Sequence, residues 1–146
     1  MRRSKAPLTL MEQAVMLTVF ALAAVLCLRA FVWANQTSRD LTDADMALLQ
    51  AQNAAEVLKS QGGDMARAQS AAAELLGGSV EQGLWVILYD ENWQPVPDRA
   101  DAAFVLTAQG VPAGVEGLWR AEVCMSACDG QEQTLCTIPV AWQEVS

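Results

Sequence analysis

Few residues in this chain are equipped for chemistry. There is no histidine among the 146 residues, which removes the commonest general base and the commonest metal ligand. A cysteine nucleophile needs a neighbouring base, and a working pair of carboxylates needs a shaped cleft. The sequence offers no such constellation, no glycine-rich phosphate loop and no serine in a nucleophile elbow. Asp98 with Asp101, or Asp40 with Asp43 and Asp45, lack the spacing and the central glycine of a calcium loop, and read as helix caps and surface charge. No enzyme and no cofactor is expected. What remains is one isolated carboxylate, Glu12, and four cysteines, Cys27, Cys124, Cys128 and Cys136.

Glu12 stands at the start of an apolar run. From Ala14 to Ala34 the only charged residue is Arg29, and about 20 mainly apolar residues let a helix cross ~30 Å of hydrocarbon. Residues 8–34 are therefore expected to be a transmembrane helix. Arg29 lies one turn before Trp33, so its side chain can reach the outer headgroups while the indole sits at the interface. Cys27 reads as a small apolar filler, with palmitoylation as the alternative. A cleaved secretory signal ending at Val32-Trp33-Ala34 is the competing reading; Arg29 ahead of that cut, and the early start at Leu8, oppose it.

Charge sets the expected orientation. Arg2, Arg3 and Lys5 make residues 1–7 a basic leader, whereas Asn35 to Ser146 holds 16 acids against five bases, a net of −11. The basic end should stay cytoplasmic and the acidic part should be exported, giving a single-pass protein of the cell membrane. An acidic exported part argues against binding nucleic acid directly.

A short basic leader followed by Leu8-Thr9-Leu10-Met11-Glu12 and a long apolar segment resembles the amino terminus of type IV pilins and pseudopilins, whose mature chains commonly open Phe-Thr-Leu-Ile-Glu. The resemblance implies a processing junction between Pro7 and Leu8, and a Glu12 that docks the subunit beside other pilin-like subunits in the membrane. It departs from the family in two places. Pro7 stands where the family has glycine, and the usual helix-kinking proline is missing, with Arg29 near its place.

From Asn35 to Ser60 there is no Gly or Pro, and Leu41, Leu48, Ala51, Ala55 and Leu58 recur at helical intervals, leaving Asp40, Asp43, Gln50 and Lys59 for water. The pattern predicts that the membrane helix continues outward over residues 35–60 until Gly62-Gly63 stops it, so that Leu8 to Ser60 would span about 80 Å at ~1.5 Å per residue. The alternative is a break near Gln36-Thr37-Ser38, with Thr37 or Ser38 capping a second helix. Asn35-Gln36-Thr37 also matches a glycosylation sequon, a chance match in a prokaryotic setting.

Residues 61–146 are expected to form a small α+β head. Asp64 should cap a short helix through Leu76, with Met65, Ala68, Ala72 and Leu75 or Leu76 on one face and Gly77-Gly78 as its end. Leu84–Tyr89 is an apolar, β-branched run that predicts a strand covered on both faces, with a turn at Asp90-Glu91-Asn92. Pro95 and Pro97 keep the next stretch out of a central strand. Ala103–Thr107 predicts a further strand before a loop carrying Gly110, Pro112, Gly114 and Gly117. Trp119 to Ala127 alternates as a half-buried strand does, and Asp129-Gly130-Gln131 is a hairpin turn. The antiparallel sheet should have about four strands. Trp85, Trp93, Trp119 and Trp142 read as core and rim.

With Gly130 at the centre of the turn, Cys124 falls opposite Cys136, near the reach of a disulfide. Such a bridge could contribute ~3 kcal/mol to a small domain. Cys128 is an alternative partner, and a zinc site of Cys124, Cys128 and Cys136 is a competing reading that lacks a fourth ligand. Pilins often carry a disulfide near the carboxy terminus, a further weak likeness.

The chain therefore reads as a structural, membrane-anchored subunit resembling a minor pilin or pseudopilin of a type IV pilus, type II secretion or DNA-uptake machine. The alternative is a single-pass protein whose extracytoplasmic domain senses or binds something, without filament assembly.

Overall fold

A computed structural model of the chain describes residues 6–128 and 133–143. Arg2, Arg3 and Lys5 of the basic leader, and Asp129-Gly130-Gln131 where the hairpin turn is expected, lie outside the described residues. The fold is α+β: helix α1 (Ala6–Gln61), helix α2 (Met65–Leu76) and strands β1 (Ser79–Glu81), β2 (Leu84–Tyr89), β3 (Pro95–Val96), β4 (Phe104–Val111), β5 (Leu118–Ala127) and β6 (Gln133–Gln143). The chain divides into two compact units, Met1–Thr42 and Asp43–Ser146, so the division falls inside α1 rather than at the glycines that end it.

In the first unit α1 is a single apolar helix, and the described residues contain one helix long and apolar enough to cross a membrane. No break occurs at Gln36-Thr37-Ser38. Thr37 Oγ1 donates to the Trp33 carbonyl (3.0 Å) and Thr42 Oγ1 to the Ser38 carbonyl (2.9 Å), so these hydroxyls turn back into the helix instead of capping a new one.

The second unit is a helical layer on an antiparallel sheet of six strands, ordered β1-β2-β4-β5-β6 with the two-residue β3 also paired to β2. That exceeds the expected four because β1 and β3 are too short to show alternation; they share one edge, β1 against Leu84–Val86 and β3 against Leu88 and Tyr89. Pro95 does sit on an edge, where its missing N–H breaks no ladder. β2 has the expected bounds, yet only Trp85, Ile87 and Tyr89 are buried, while Leu84, Val86 and Leu88 are half-buried on the other face. β4 runs on through Gly110, which pairs with Ala121 instead of opening a loop. The absent side chain lets α2 approach there: a Cβ would lie 3.1 Å from Met65 Cγ.

The core lies between the helices and the inner sheet face. α1 contributes Ala47, Ala51, Ala54, Ala55 and Leu58, and α2 contributes Ala68 and Ala72; across from them are Trp85, Ile87, Leu106, Ala108, Val123 and Met125. Leu41 and Leu48, expected on the packed face, are 63% and 42% exposed. Ala47 and Ala54 take that role, because a sheet this rich in large side chains leaves room for small ones on the helix.

Helix α2 starts as expected: Asp64 accepts from the Arg67 N–H at 2.8 Å. Leu75 points out at 63% exposure, and the buried polar Gln69 stands on the inner face instead, its Nε2 donating to the carbonyls of Gly83 (2.8 Å) and Ala108 (2.9 Å). The amide thereby ties α2 to the sheet with its hydrogen-bonding demand met. Gly77 and Gly78 both have positive φ, and a Cβ on Gly78 would collide with the Val86 carbonyl oxygen and Ile87 Cγ1.

Gly78→Ala is therefore expected to destabilise the sheet unit by about 3 kcal/mol, combining left-handed strain with a backbone collision. Gly114→Ala, at positive φ in open space, should cost about 1 kcal/mol. Denaturant unfolding of the full chain in detergent, followed by tryptophan fluorescence, measures both.

Candidate assembly site

The residues singled out for assembly lie on α1. Pro7 and Leu8 fall in its first turns, where a proline's missing N–H removes a donor that has no helical acceptor in any case. Glu12 is exposed on the helix, and so are Leu10, Met11, Val15, Met16, Leu17, Val19 and Phe20 around it. A helix that is apolar on every side belongs in hydrocarbon. Thr18 fits there because its hydroxyl donates to the Ala14 carbonyl at 2.8 Å, leaving no unmet donor.

Glu12 and Arg29 bracket this surface. Arg29 follows Glu12 by 17 positions along the helix, about 25 Å at ~1.5 Å per residue, close to the hydrocarbon thickness. In a helix that crosses a bilayer, this spacing would put each charge near one boundary, where a carboxylate or guanidinium costs much less than at the centre. Trp33, one turn beyond Arg29, is 70% exposed on the same helix, as an interfacial indole would be. A carboxylate facing lipid near the boundary is best satisfied by a donor on another chain or in the headgroup layer.

In the second unit the cysteines are not where a turn centred on Gly130 would put them. Ala127 pairs with Gln133 and Ser126 with Thr134, as that turn dictates, but Met125 then pairs with Cys136 and Cys124 with Thr137. The irregularity between Met125 and Ser126 leaves Leu135 as an extra residue of β6. Cys124 consequently shares the outer face with Thr137, whose Oγ1 donates to Cys124 Sγ at 3.6 Å, while Cys136 packs against the core beside buried Met125. The two thiols are free and project to opposite faces, so a direct Cys124–Cys136 bridge does not fit this register. Burial raises the Cys136 thiol above its ordinary value, Cys124 adds to the rise, and a backbone hydrogen bond with Met125 opposes it. Cys128 extends the β4–β5 ladder, its N–H donating to the Ala103 carbonyl at 2.8 Å. Among the described residues no three Cys, Asp or Glu side chains converge as metal ligands would.

Three indoles fasten the sheet to the helical layer, a role that composition alone does not reveal. Trp85 Nε1 donates to the Gly77 carbonyl (3.0 Å), Trp142 Nε1 to the Gly63 carbonyl (2.9 Å) and Trp93 Nε1 to Asp43 Oδ1 (3.2 Å). Trp93 has φ of 61°, a conformation that costs a bulky residue energy. The turn before it explains how that is sustained: Asp90 Oδ1 accepts from the Asn92 and Gln94 N–H groups at 2.8 Å, and the indole stacks on Phe104 at 4.1 Å with Tyr89 beside it. Among the described residues, Trp119 Nε1 is buried without a hydrogen-bond partner.

No family model, curated protein or solved structure matches the chain.

Burial raises the Tyr89 phenol above its ordinary value of 10.0. The folded state therefore holds that proton more tightly than the unfolded one, and stability is full below pH 10 and falls as pH rises through the raised value. Tyr89→Phe is expected to lose less stability above pH 10 than the parent chain, measured by denaturant titration across pH 8–11.5.

Proposed function

We propose that the chain is a structural, membrane-anchored subunit of the pilin-like or pseudopilin-like kind, serving a pilus, secretion or DNA-uptake machine rather than catalysing a reaction. The observation that carries this reading is α1: one uninterrupted helix (Ala6–Gln61) whose early part is apolar on all sides with Glu12 near its start, and whose last turns lay alanines into the core of a small antiparallel sheet domain. The Leu8-Thr9-Leu10-Met11-Glu12 stretch supports it from the sequence.

In this reading the basic leader is cytoplasmic and the acidic sheet unit is extracytoplasmic. Residues 9–28 lie against like helices of neighbouring subunits, with the Glu12 carboxylate taking a donor from one of them. Arg29 and Trp33 set the depth of the helix at the outer interface. A buried or half-buried carboxylate has only a few good donor positions around it, so Glu12 biases the register of packing more than it adds affinity.

Two measurements test the reading. Mass spectrometry of the membrane-bound protein should find the amino terminus at Leu8, the processed form; an intact Met1 would favour an unprocessed partner of the machine or a single-pass sensing protein instead. A terminus at Asn35 would overturn the proposal, because the anchor would be gone. Glu12→Gln should weaken cross-linking between α1 helices in the membrane by about 1 kcal/mol, roughly fivefold, a typical interhelical hydrogen bond in lipid. Unchanged cross-linking would remove Glu12 from the assembly role.

A further inference from the structure

The β5–β6 hairpin contains the beginnings of two registers. Beside the turn, Ala127 faces Gln133 and Ser126 faces Thr134; past the extra residue Leu135, Met125 faces Cys136, Cys124 faces Thr137 and Val123 faces Ile138. Carrying the turn-side register two residues further would place Met125 opposite Leu135 and Cys124 opposite Cys136. Thr137 would then be the extra residue, and every pair from Val123↔Ile138 onward would stay as it is. The bulge can thus occupy either of two positions that differ only in the placement of residues 135–137.

We propose that this hairpin is a redox-operated register switch, in which the bulge moves from Leu135 to Thr137 and a Cys124–Cys136 disulfide locks it there. Three observations make the move inexpensive. β6 is the last strand of the sheet order, so shifting residues 135–137 disturbs pairing with β5 alone. Leu135 and Cys136 both already lean on the core, as the two residues of a bulge do, so Leu135 can take the inward place that Cys136 leaves. Ile138, Val140 and Trp142, which hold β6 to the core, keep their faces; a slip of the whole strand would have turned them over.

The chemistry balances with a disulfide reagent as oxidant. The Cys124 thiolate, on the outer face beside Ser126 Oγ (3.8 Å) and Thr137 Oγ1, attacks a sulfur of the reagent disulfide and displaces one reagent thiol. Cys136, once turned outward, attacks Cys124 Sγ of the mixed disulfide and displaces the second. Two electrons and two protons leave on the two reagent thiols. While Cys136 is paired with Met125 it lies on the opposite face from Cys124, and burial raises its thiol above the ordinary value as well, so closure waits for the bulge to move. The switch depends on the hairpin alone and not on filament assembly.

The test uses the full chain in detergent with oxidised glutathione, quenched by alkylation and mapped by mass spectrometry. The expected product is an intramolecular Cys124–Cys136 bridge. Deleting Thr137 removes the bulge and sets Cys124 opposite Cys136, and should speed closure about tenfold; deleting Leu135 removes the bulge but keeps Cys136 inward, and should slow it about tenfold. In the unaltered chain, hydrogen exchange on oxidation should change at residues 135–137 and not at Ile138–Trp142, a readout that stands if either deletion fails to fold. A chain that stays reduced, a bridge through Cys128, deletions that leave the rate unchanged, or exchange changes spread along all of β6 would each overturn the proposal.

Discussion

The second unit depends on the packing of an alanine surface of α1 over a sheet of large side chains. Ala47, Ala51, Ala54 and Ala55 put nothing beyond Cβ between the backbone of α1 and the inner sheet face. Trp85, Ile87, Leu106 and Met125 fill the space this leaves, and all are buried to within 2%. A sheet with one apolar face has to be covered by a second layer, and here α1 and α2 supply it with small side chains set against large ones. The same packing brings helix-end carbonyls within reach of indoles that would otherwise be orphaned donors. Trp85 and Trp142 donate to Gly77 and Gly63, the two glycine sites that terminate and join the helices. Apolar packing and polar satisfaction are therefore met by the same residues.

Most of the architecture is legible in the sequence because its signals are local. Asp64 and Gly77 mark the ends of α2 through a cap and a positive φ, each needing only its immediate neighbours. Leu84–Tyr89 announces β2 through composition, and the alternation from Trp119 to Ala127 announces β5 and its buried face. What escapes is what depends on a partner surface. Leu41 and Leu48 have the right period on α1, but hydrophobicity says nothing about whether the opposing layer needs bulk or lacks room for it. Gln69 looks like a surface residue until the carbonyls of Gly83 and Ala108 are found against it. The positive φ of Trp93 has no local signature, since it is sustained by Phe104 and by the Asp90 turn.

The candidate site divides in the same way. Glu12 is found from sequence because a carboxylate at the start of an apolar helix is costly and therefore informative. Its partner is not, because in the proposed reading the donor belongs to another molecule or to the lipid. The cysteines show the opposite case. Ala127 with Gln133 and Ser126 with Thr134 keep the expected register, and a single extra residue at Leu135 then moves Cys136 to the other face. A bulge has no fixed residue type in this setting, so its position follows from which side chains the core accepts.

That bulge also bears on a hazard of the fold. β6 is eleven residues long and forms a sheet edge, and a long regular edge invites pairing with other chains. Two features interrupt it. Pro139, opposite Glu122, removes one N–H from the strand, and the irregularity at Leu135 bends the ladder nearer the turn. Moving the extra residue from 135 to 137 would leave an irregularity in the edge, so neither register exposes a flat strand. An interruption that guards the edge is thus able to shift by two residues without surrendering that role, whereas abolishing it would either free the edge or turn Ile138, Val140 and Trp142 out of the core.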